Sequence, residues 1–583
     1  MYISEIKLWN FRKYGDGNFD ISKPHLTIPL SKGMNVLIGE NDSGKTAIVD
    51  AIKYTLRTNT NEYIRVQNSD FYSQSTHLRV ELVISEMTEW EAATFTEVIK
   101  PEEDGSCSLR LILDVHRKDG GIIPYEICAG ADDIGHHLTP NMKEALHVTY
   151  LKPLRDAENE LTAKRNSRLS QILQGHDLLQ TTVDGKEHEF IGIIKDANQK
   201  IMRWFTDESL GETSNKKRIK DVIDSFLHAF INSNSESEFL LSDPSMRNIL
   251  ERIKMGIADS ANPGLGTLNR LFMAAELLHL RKSGNHLRAC LIEELEAHIH
   301  PQAQMKVIEG LQKERDVQFI LTTHSPNVTS KIKLGDKRNS ILICKGKNVF
   351  SMRPEYTLLE ERDYRYLDHF LDVTKSNLFF AKGVILVEGW AEEILIPAIA
   401  QKMGIDLTQQ EVSIVNVGST AYLHFARIFL RQAPPNMNVR CSIVTDLDVP
   451  PDADNKDQKE RTKHDSIAEK IGENNENVKL FIAKEWTLEW CIYKSVILSP
   501  LFKDAVSRVH NKTPEFKVDD KGNNVDSFER KLTDKLKDKS LNKVEIAQEL
   551  SQMILSNKTI DLSIPDDYIK YLINAIKFAT HKL

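Results

Sequence analysis

The 583-residue sequence predicts an α/β protein of two units: a strand-and-helix unit interrupted by a helical insertion, then a second unit on a parallel sheet. Three observations predict it. Short runs rich in Val, Ile and Leu alternate with turns and helical stretches over residues 1–150, over 264–345 and from 378 onward. Residues 156–260 are instead polar, rich in Asn, Ser and Lys, and helical by pattern. A Gly-rich turn near residue 40 joins an apolar strand to an amphipathic helix.

At roughly 150 residues per domain the length suggests three to four domains, or two large ones with an insertion. Apolar residues make up 40% and charged residues 27%, which excludes collagen-like, low-complexity and wholly disordered chains. No apolar run approaches the ~20 residues of a membrane span, and the opening residues read as a strand, so a cytoplasmic protein without membrane contact is expected. Six scattered cysteines (107, 128, 290, 344, 441 and 491), with no CxxC, exclude a disulfide framework and a Cys-rich zinc site. The 76 basic and 84 acidic residues leave a formal charge of -8. DNA binding then requires a local basic patch, not a basic average.

The elements follow in order. In the first unit, residues 1–160, Gly33-Met34-Asn35-Val36-Leu37-Ile38, Leu78 to Ile84 and Leu109 to Val115 are strands. A helix runs from Gly44 to about Leu56, with Ile48, Val49, Ile52 and Leu56 on one face. Residues 161–245 form the helical insertion, and 246–350 complete the first unit. Residues 351–377 link it, through an acidic helical stretch from Leu358 to Leu371, to the second unit at 378–583. Its strands are Val384 to Val387, Val412 to Val417, Cys441 to Thr445 and Lys479 to Ala483, and residues 450–478 read as an exposed excursion.

Gly39-Glu40-Asn41-Asp42-Ser43-Gly44-Lys45-Thr46 fits G-x-x-x-x-G-K-[ST] in the strand-to-helix context this motif needs. Backbone N–H groups around Gly39, Asn41 and Gly44 would cradle the phosphates of ATP at a helix N-terminus. Lys45 would reach the β- and γ-phosphates, and Thr46 would ligate Mg²⁺. Ala289-Cys290-Leu291-Ile292 is a buried strand ending in Glu293 and Glu294, the first to hold Mg²⁺, the second to orient the attacking water. Another strand, Gln318 to Thr323, ends in His324, placed to sense the γ-phosphate.

In the second unit, Val384-Ile385-Leu386-Val387 ends in Glu388, with Glu392 one helical turn on; the two converge if Glu388 caps that helix. Cys441-Ser442-Ile443-Val444-Thr445 ends in Asp446-Leu447-Asp448. Strand-end acids of a parallel sheet sit at the carboxyl edge, where ligands bind. Carboxylates without Cys or His suit Mg²⁺ or Mn²⁺, and two such ions would clamp a phosphodiester.

On these residues the chain resembles known proteins. Trp9-Asn10-Phe11-Arg12, the P-loop, Leu291-Ile292-Glu293-Glu294-Leu295 and Thr322-Thr323-His324-Ser325-Pro326 look like an ABC-type ATPase head of the RecF, SMC and OLD flavour. Asn262 to Asn269 sits where such heads carry a signature motif that contacts a partner head's nucleotide, so the resemblance implies a homodimer or a larger homo-oligomer such as a tetramer. The signature is not LSGGQ, Glu293 replaces an Asp and Leu295 a frequent Pro, so the resemblance implies ATP binding more firmly than fast hydrolysis. The insertion is too short for SMC arms and lacks sustained heptads; it reads as a dimerisation element or a plain helical subdomain.

The two acidic strand ends together resemble a Toprim domain. An ABC head followed by Toprim resembles, over nearly the whole chain, the OLD (overcoming lysogenization defect) nucleases, the group that includes the GajA subunit of the Gabija anti-phage system. Thr149-Tyr150-Leu151-Lys152-Pro153-Leu154-Arg155-Asp156 also resembles a family segment. Within that family, Glu388, Glu392, Asp446 and Asp448 match the metal-binding acids. Thr487-Leu488-Glu489 matches a later hydroxyl-x-Glu element, with Glu489 an added ligand and Thr487 a further one. Asn542-Lys543 resembles the segment of a family lysine, so Lys543 would neutralise charge on the scissile phosphate or leaving oxygen. Lys543 also lies in a Lys-rich stretch with Lys535, Lys537 and Lys539, which reads equally as a solvated basic face or a DNA-backbone contact.

The expectation is an ATP-regulated, metal-dependent DNA endonuclease in phage defence, alone or with a helicase encoded nearby. The alternative from another class is a RecF-like ATP-gated DNA clamp whose Toprim acids are structural. A primase- or topoisomerase-like enzyme is the third reading; for strand passage no tyrosine nucleophile stands out.

Overall fold

The computed structural model describes residues 1–582 except 59–63, 154–156, 166, 180–181, 184–185, 207–214, 232–235, 239–240, 242–243, 261, 281–285, 419–420, 472–475, 518–524 and 563–565. Leu154, Arg155 and Asp156 of the quoted family segment, and part of the helical insertion, thus lie outside the described residues.

The N-terminal head carries two sheets. One is antiparallel, with the main order His136–His137, Ile127–Ala129, Cys107–Lys118, His77–Ser85, Tyr2–Trp9, Leu26–Pro29. Its strands alternate because one face meets the core and the other is polar: Leu78, Val80, Leu82 and Ile84 are buried apolar, while His77, Arg79 and Glu81 face the other way. The second sheet is largely parallel, in the order Asn348–Ser351, Ser340–Lys345, Met34–Ile38, Gln318–Thr323, Ala289–Ile292, His147–Leu151, Arg57–Thr58; its Asn348–Ser351 edge is antiparallel. Met34–Ile38 and Gln318–Thr323 are buried at every position, as central strands covered on both faces must be.

Residues far apart in sequence are thus neighbours: Thr323 pairs with Ile38, 285 positions earlier, and Ile292 with Leu321. The P-loop, the acidic pair and His324 therefore leave adjacent strands at one carboxyl edge. Between the strands His147–Leu151 and Ala289–Ile292 the chain forms several helices, among them Arg168–Gln174, Glu189–Thr206 and Asn215–Ile231. Arg168 holds this region to the head through a buried bidentate pair with Glu276, at 2.6 and 2.7 Å, on the helix Leu265–Leu280.

The connection to the second unit is packed, not loose. Its helix Glu361–Phe370 places Asp363, fully buried, between His424 Nδ1 (2.5 Å) and Arg427 (2.8 Å). One hydrophobic cluster runs continuously from Val36 and Leu321 in the head, through Leu367 and Leu371, to Leu386 and Phe425 in the second unit.

The second unit is a four-stranded, all-parallel sheet in the order Val412–Asn416, Gly383–Val387, Arg440–Thr445, Val478–Ile482. Its C-terminal helix, Lys570–Ala579, closes over these strands. It does so tightly enough that a Cβ on Gly383 would strike the carbonyl of Ala579. The expected excursion after Asp448 is largely a helix, Lys456–Ile471. Its polar, charge-rich sequence lacks an apolar stripe, so no helical period marks it in the sequence. Among the described residues no helix is long and apolar enough to cross a membrane.

Candidate active site

Glu388 leaves the end of the Gly383–Val387 strand, and Asp446 the end of the adjacent Arg440–Thr445 strand. Glu392 lies in the first turn of the helix Trp390–Lys402 and Glu489 in the first turn of Leu488–Lys494. Lys543 opens the helix Lys543–Ser556, and its ammonium stands 2.8 Å from Glu489 Oε2. Two adjacent strand ends and three helix N-termini therefore bring these five side chains together. The acids sit where helix dipoles favour negative charge.

The electrostatics show three acids under strain. Glu392 is 9% exposed, and its carboxyl is pushed up to about 7 by burial and by the Glu489 charge. Burial, then Glu392 and Glu489, hold the Asp446 carboxyl well above the usual range. Burial also raises Glu388, although the Thr445 hydroxyl donates to its Oε1. Lys543 is raised: burial pulls it down, but Glu489, Asp446 and Glu392 together outweigh burial. One ammonium does not balance the set. Clustered carboxylates, three of which resist ionising, are the donor chemistry that fits a divalent, oxygen-seeking cation.

Two expected ligands are placed differently. Asp448 has a left-handed backbone (φ 53°), is half-exposed, and pairs with Lys463 at 2.6 Å. Thr487 is the N-cap of the following helix and accepts the Trp490 N–H at 3.4 Å, so its hydroxyl already has a structural duty. The expectation that Glu388 caps the next helix is corrected: Gly389 is the N-cap and no side chain caps it. Strand geometry sends Glu388 toward Thr445 instead. The carboxylates are also not closed around a point. Among the described residues, three candidate ligand atoms lie within 4.8 Å of one another at His77, Asp114 and His116, not here.

The nucleotide site gathers as expected. Gly44 (φ 99°) turns the P-loop into the helix Lys45–Thr55, and a Cβ there would strike Tyr14 Oη. Gly39 (φ 150°) lies against the Cys344 carbonyl, 2.5 Å from where a Cβ would stand. Lys45 is folded onto its own loop, donating to the carbonyls of Gly39 (2.9 Å) and Glu40 (2.7 Å) and to Ser43 Oγ (3.1 Å). Asn41 lines a cleft of about 560 Å³ beside this loop. Glu293 is buried, raised by that burial, and accepts from Tyr150 Oη at 2.7 Å; the Thr46 hydroxyl also reaches it. Glu294 turns left-handed (φ 46°) and is held through its backbone N–H by Thr322 Oγ1. The His324 imidazole faces Gly39 and is lowered by burial and by Lys45.

Several residues of both sites were not singled out from sequence. Glu296 accepts from Thr323 Oγ1 (2.8 Å) and from the His324 N–H (2.6 Å), fixing the His strand end. The run of acids at 293, 294 and 296 was its one visible signal. Thr445, Lys463 and Tyr571 complete the acidic site. Tyr571, on the C-terminal helix, has a buried hydroxyl without a hydrogen-bond partner, in the field of Asp446, Glu392 and Glu489. No local pattern marks a tyrosine 125 positions after Asp446 as a neighbour. The P-loop cleft is also walled by the second unit, through Phe379, Lys382 and His581. Lys382 stands 4.0 Å from Glu40 of the P-loop and 3.0 Å from Glu411.

Comparison with known proteins agrees with this architecture. The AAA ATPase domain family matches residues 1–119 and 141–329. The Overcoming lysogenization defect protein-like TOPRIM domain matches residues 379–448. Endonuclease GajA of Bacillus cereus (strain HuB5-5) is 21% identical over 546 residues, covering 78% of each chain. The OLD nuclease of Thermus scotoductus is 21% identical over 479 residues, covering 78% of this chain and 85% of that one. Among solved structures, the C-terminal region of the Burkholderia pseudomallei OLD protein is 22% identical, covering 34% of this chain and 99% of that one with a TM-score of 0.24. With a P-loop head matched over more than half its length and a Toprim sheet behind it, the chain belongs to the AAA ATPase domain family and joins that ATPase to the OLD-like TOPRIM domain of the OLD family.

Proposed function

We propose that this protein is an ATP-regulated, metal-dependent DNA endonuclease that nicks or cleaves phosphodiesters in anti-phage defence. The mutually repelling carboxylates Glu388, Glu392, Asp446 and Glu489, of which Glu392 and Glu489 are buried, carry this reading together with Lys543. The relatives named as endonuclease GajA and OLD nuclease support the reaction class. Mg²⁺ or Mn²⁺ held by these acids would supply Lewis acidity and an acidified water. The chain's own part is positional. Glu388 and Asp446 would hold the cation from strand ends, and Glu392 and Glu489 from helix first turns. Lys543, which stands 2.8 Å from Glu489, would face the scissile phosphate and neutralise its developing charge. Asp448 joins the set when Lys463 exchanges it for a DNA phosphate.

ATP binding starts at Lys45, which exchanges the carbonyls of its own loop for phosphates. That loop carries Glu40, beside Lys382, and Lys382 immediately precedes the strand that ends in Glu388. Nucleotide at the head is thereby felt at the root of an active-site strand. We further propose a cytoplasmic homodimer or homotetramer, with the inserted helices as a dimerisation element, acting alone or with a helicase encoded nearby.

The test is plasmid cleavage by the purified protein across Mg²⁺ and Mn²⁺, with and without ATP, beside Asp446→Ala/Asp448→Ala and Lys45→Ala. Metal-dependent nicking lost in the double variant supports the nuclease, and an ATP effect lost in Lys45→Ala supports the coupling. DNA binding with no cleavage in any lane, even with the neighbouring gene product added, favours the RecF-like clamp.

A further inference from the structure

We propose that His77, Asp114 and His116 form a zinc site on the polar face of the head's antiparallel sheet, separate from both sites above. His77 and His116 are directly paired across the strands His77–Ser85 and Cys107–Lys118, and Arg79 is paired with Asp114 in the next register position on the same face. The two imidazoles stack with centroids 4.0 Å apart, and Phe19 stacks on the other side of His77 at 3.6 Å. This sandwich fixes the ring planes. Both Nε2 atoms lie near one oxygen, Asp114 Oδ1: His77 is hydrogen-bonded to it at 2.5 Å and His116 stands 3.4 Å away. Arg79 takes the other oxygen, Oδ2, at 2.7 Å, and its charge is offset by Glu81 at 2.7 Å. One candidate ligand atom from each residue thus lies within 4.8 Å of the other two.

Donors bound to one tetrahedral ion at ~2.0–2.1 Å lie roughly 3.3 Å apart; His116 Nε2 already stands at about that distance from Asp114 Oδ1, whereas the His77 Nε2 hydrogen bond to the same oxygen, at 2.5 Å, must open by under about 1 Å to admit the ion. Two imidazoles and one carboxylate suit Zn²⁺, and they distinguish the site from the all-oxygen cluster, which suits Mg²⁺ or Mn²⁺. His116 is more than half exposed, so the site is open to solvent and a water completes the coordination. Arg79 on Asp114 is the outer-shell contact that holds a ligating carboxylate in place. A bound ion would staple the two strands at their ends and hold the Phe19 loop against them.

Full-length protein stripped by a chelator is titrated with Zn²⁺ alone, in excess Mg²⁺ that fills the carboxylate cluster. Wild type is expected to take up Zn²⁺ at low-micromolar concentration or tighter, with a rise in Tm. His116→Ala should weaken that uptake at least ~100-fold, because losing a ligand costs no less than losing an outer-shell partner. In chelator its Tm should match wild type, since His116 is exposed. His77→Gln is the second variant, and Co²⁺ absorption bands of a histidine-bound ion, present in wild type and lost in both variants, report the ligands directly. Zn²⁺ uptake equal in wild type and both variants, or absent from wild type, overturns the proposal.

Discussion

Replacing Glu392 with Gln should stabilise the metal-free protein at pH 8 and abolish its stabilisation by Mg²⁺. Glu392 is buried, and the folded protein holds its proton to about 7, against 4.5 for an ordinary glutamate. In the unfolded chain the proton leaves near the ordinary value. The folded state thus binds more protons than the unfolded one between those values, and stability falls as pH rises through that window. At about 1.4 kcal/mol per pH unit, the cost in full above pH 7 is about 3 kcal/mol. Gln mimics the protonated acid and removes that cost. For a unit of this size the gain corresponds to a Tm rise of roughly 6–12 °C at pH 8, shrinking to about 1 kcal/mol near pH 5.5 and vanishing below the unfolded value. The assay is thermal unfolding of wild type and Glu392→Gln, in EDTA and in Mg²⁺, at both pH values. Wild type should gain stability from Mg²⁺ more strongly at pH 8, where the cation meets ionised acids. A variant that is less stable than wild type in EDTA at pH 8, or that responds to Mg²⁺ as wild type does, would refute the reasoning.

Three further outcomes follow from the same coordinates. Lys543→Ala should lower cleavage by about 10²–10³ while DNA still binds in a gel-shift assay, since it removes one charge stabiliser from the reacting phosphate. Tyr571→Phe should leave metal-free stability unchanged or raise it by about 1 kcal/mol in urea denaturation, because the lost hydroxyl has no partner there. Arg168→Ala should cost about 3–5 kcal/mol, measured by denaturant midpoint, since it strands the buried Glu276 carboxylate.

By itself the sequence determined the nature of each unit and which strand ends carry the candidate site acids. The apolar run Met34 to Ile38 before Gly39 to Thr46 carries its own strand, turn and helix, because glycine freedom and 3.6-residue periodicity are local properties. The acids at the ends of Gly383–Val387 and Arg440–Thr445 were legible for the same reason: a strand's last residue is readable from where the apolar run stops. What sequence order does not encode is which strands are neighbours. The antiparallel sheet that carries His77 opposite His116 followed from no single segment. Only packing decided that Asp446 feels the charges of Glu392 and Glu489 while Asp448, two residues on, turns out to solvent and Lys463. Packing also put Glu489 and Lys543 in contact from separate helices, aimed the Tyr571 hydroxyl at the acids from the last helix, and set Lys382 against the P-loop. Charge and hydrogen-bond energies depend on distance and burial, and both are created by the tertiary fold.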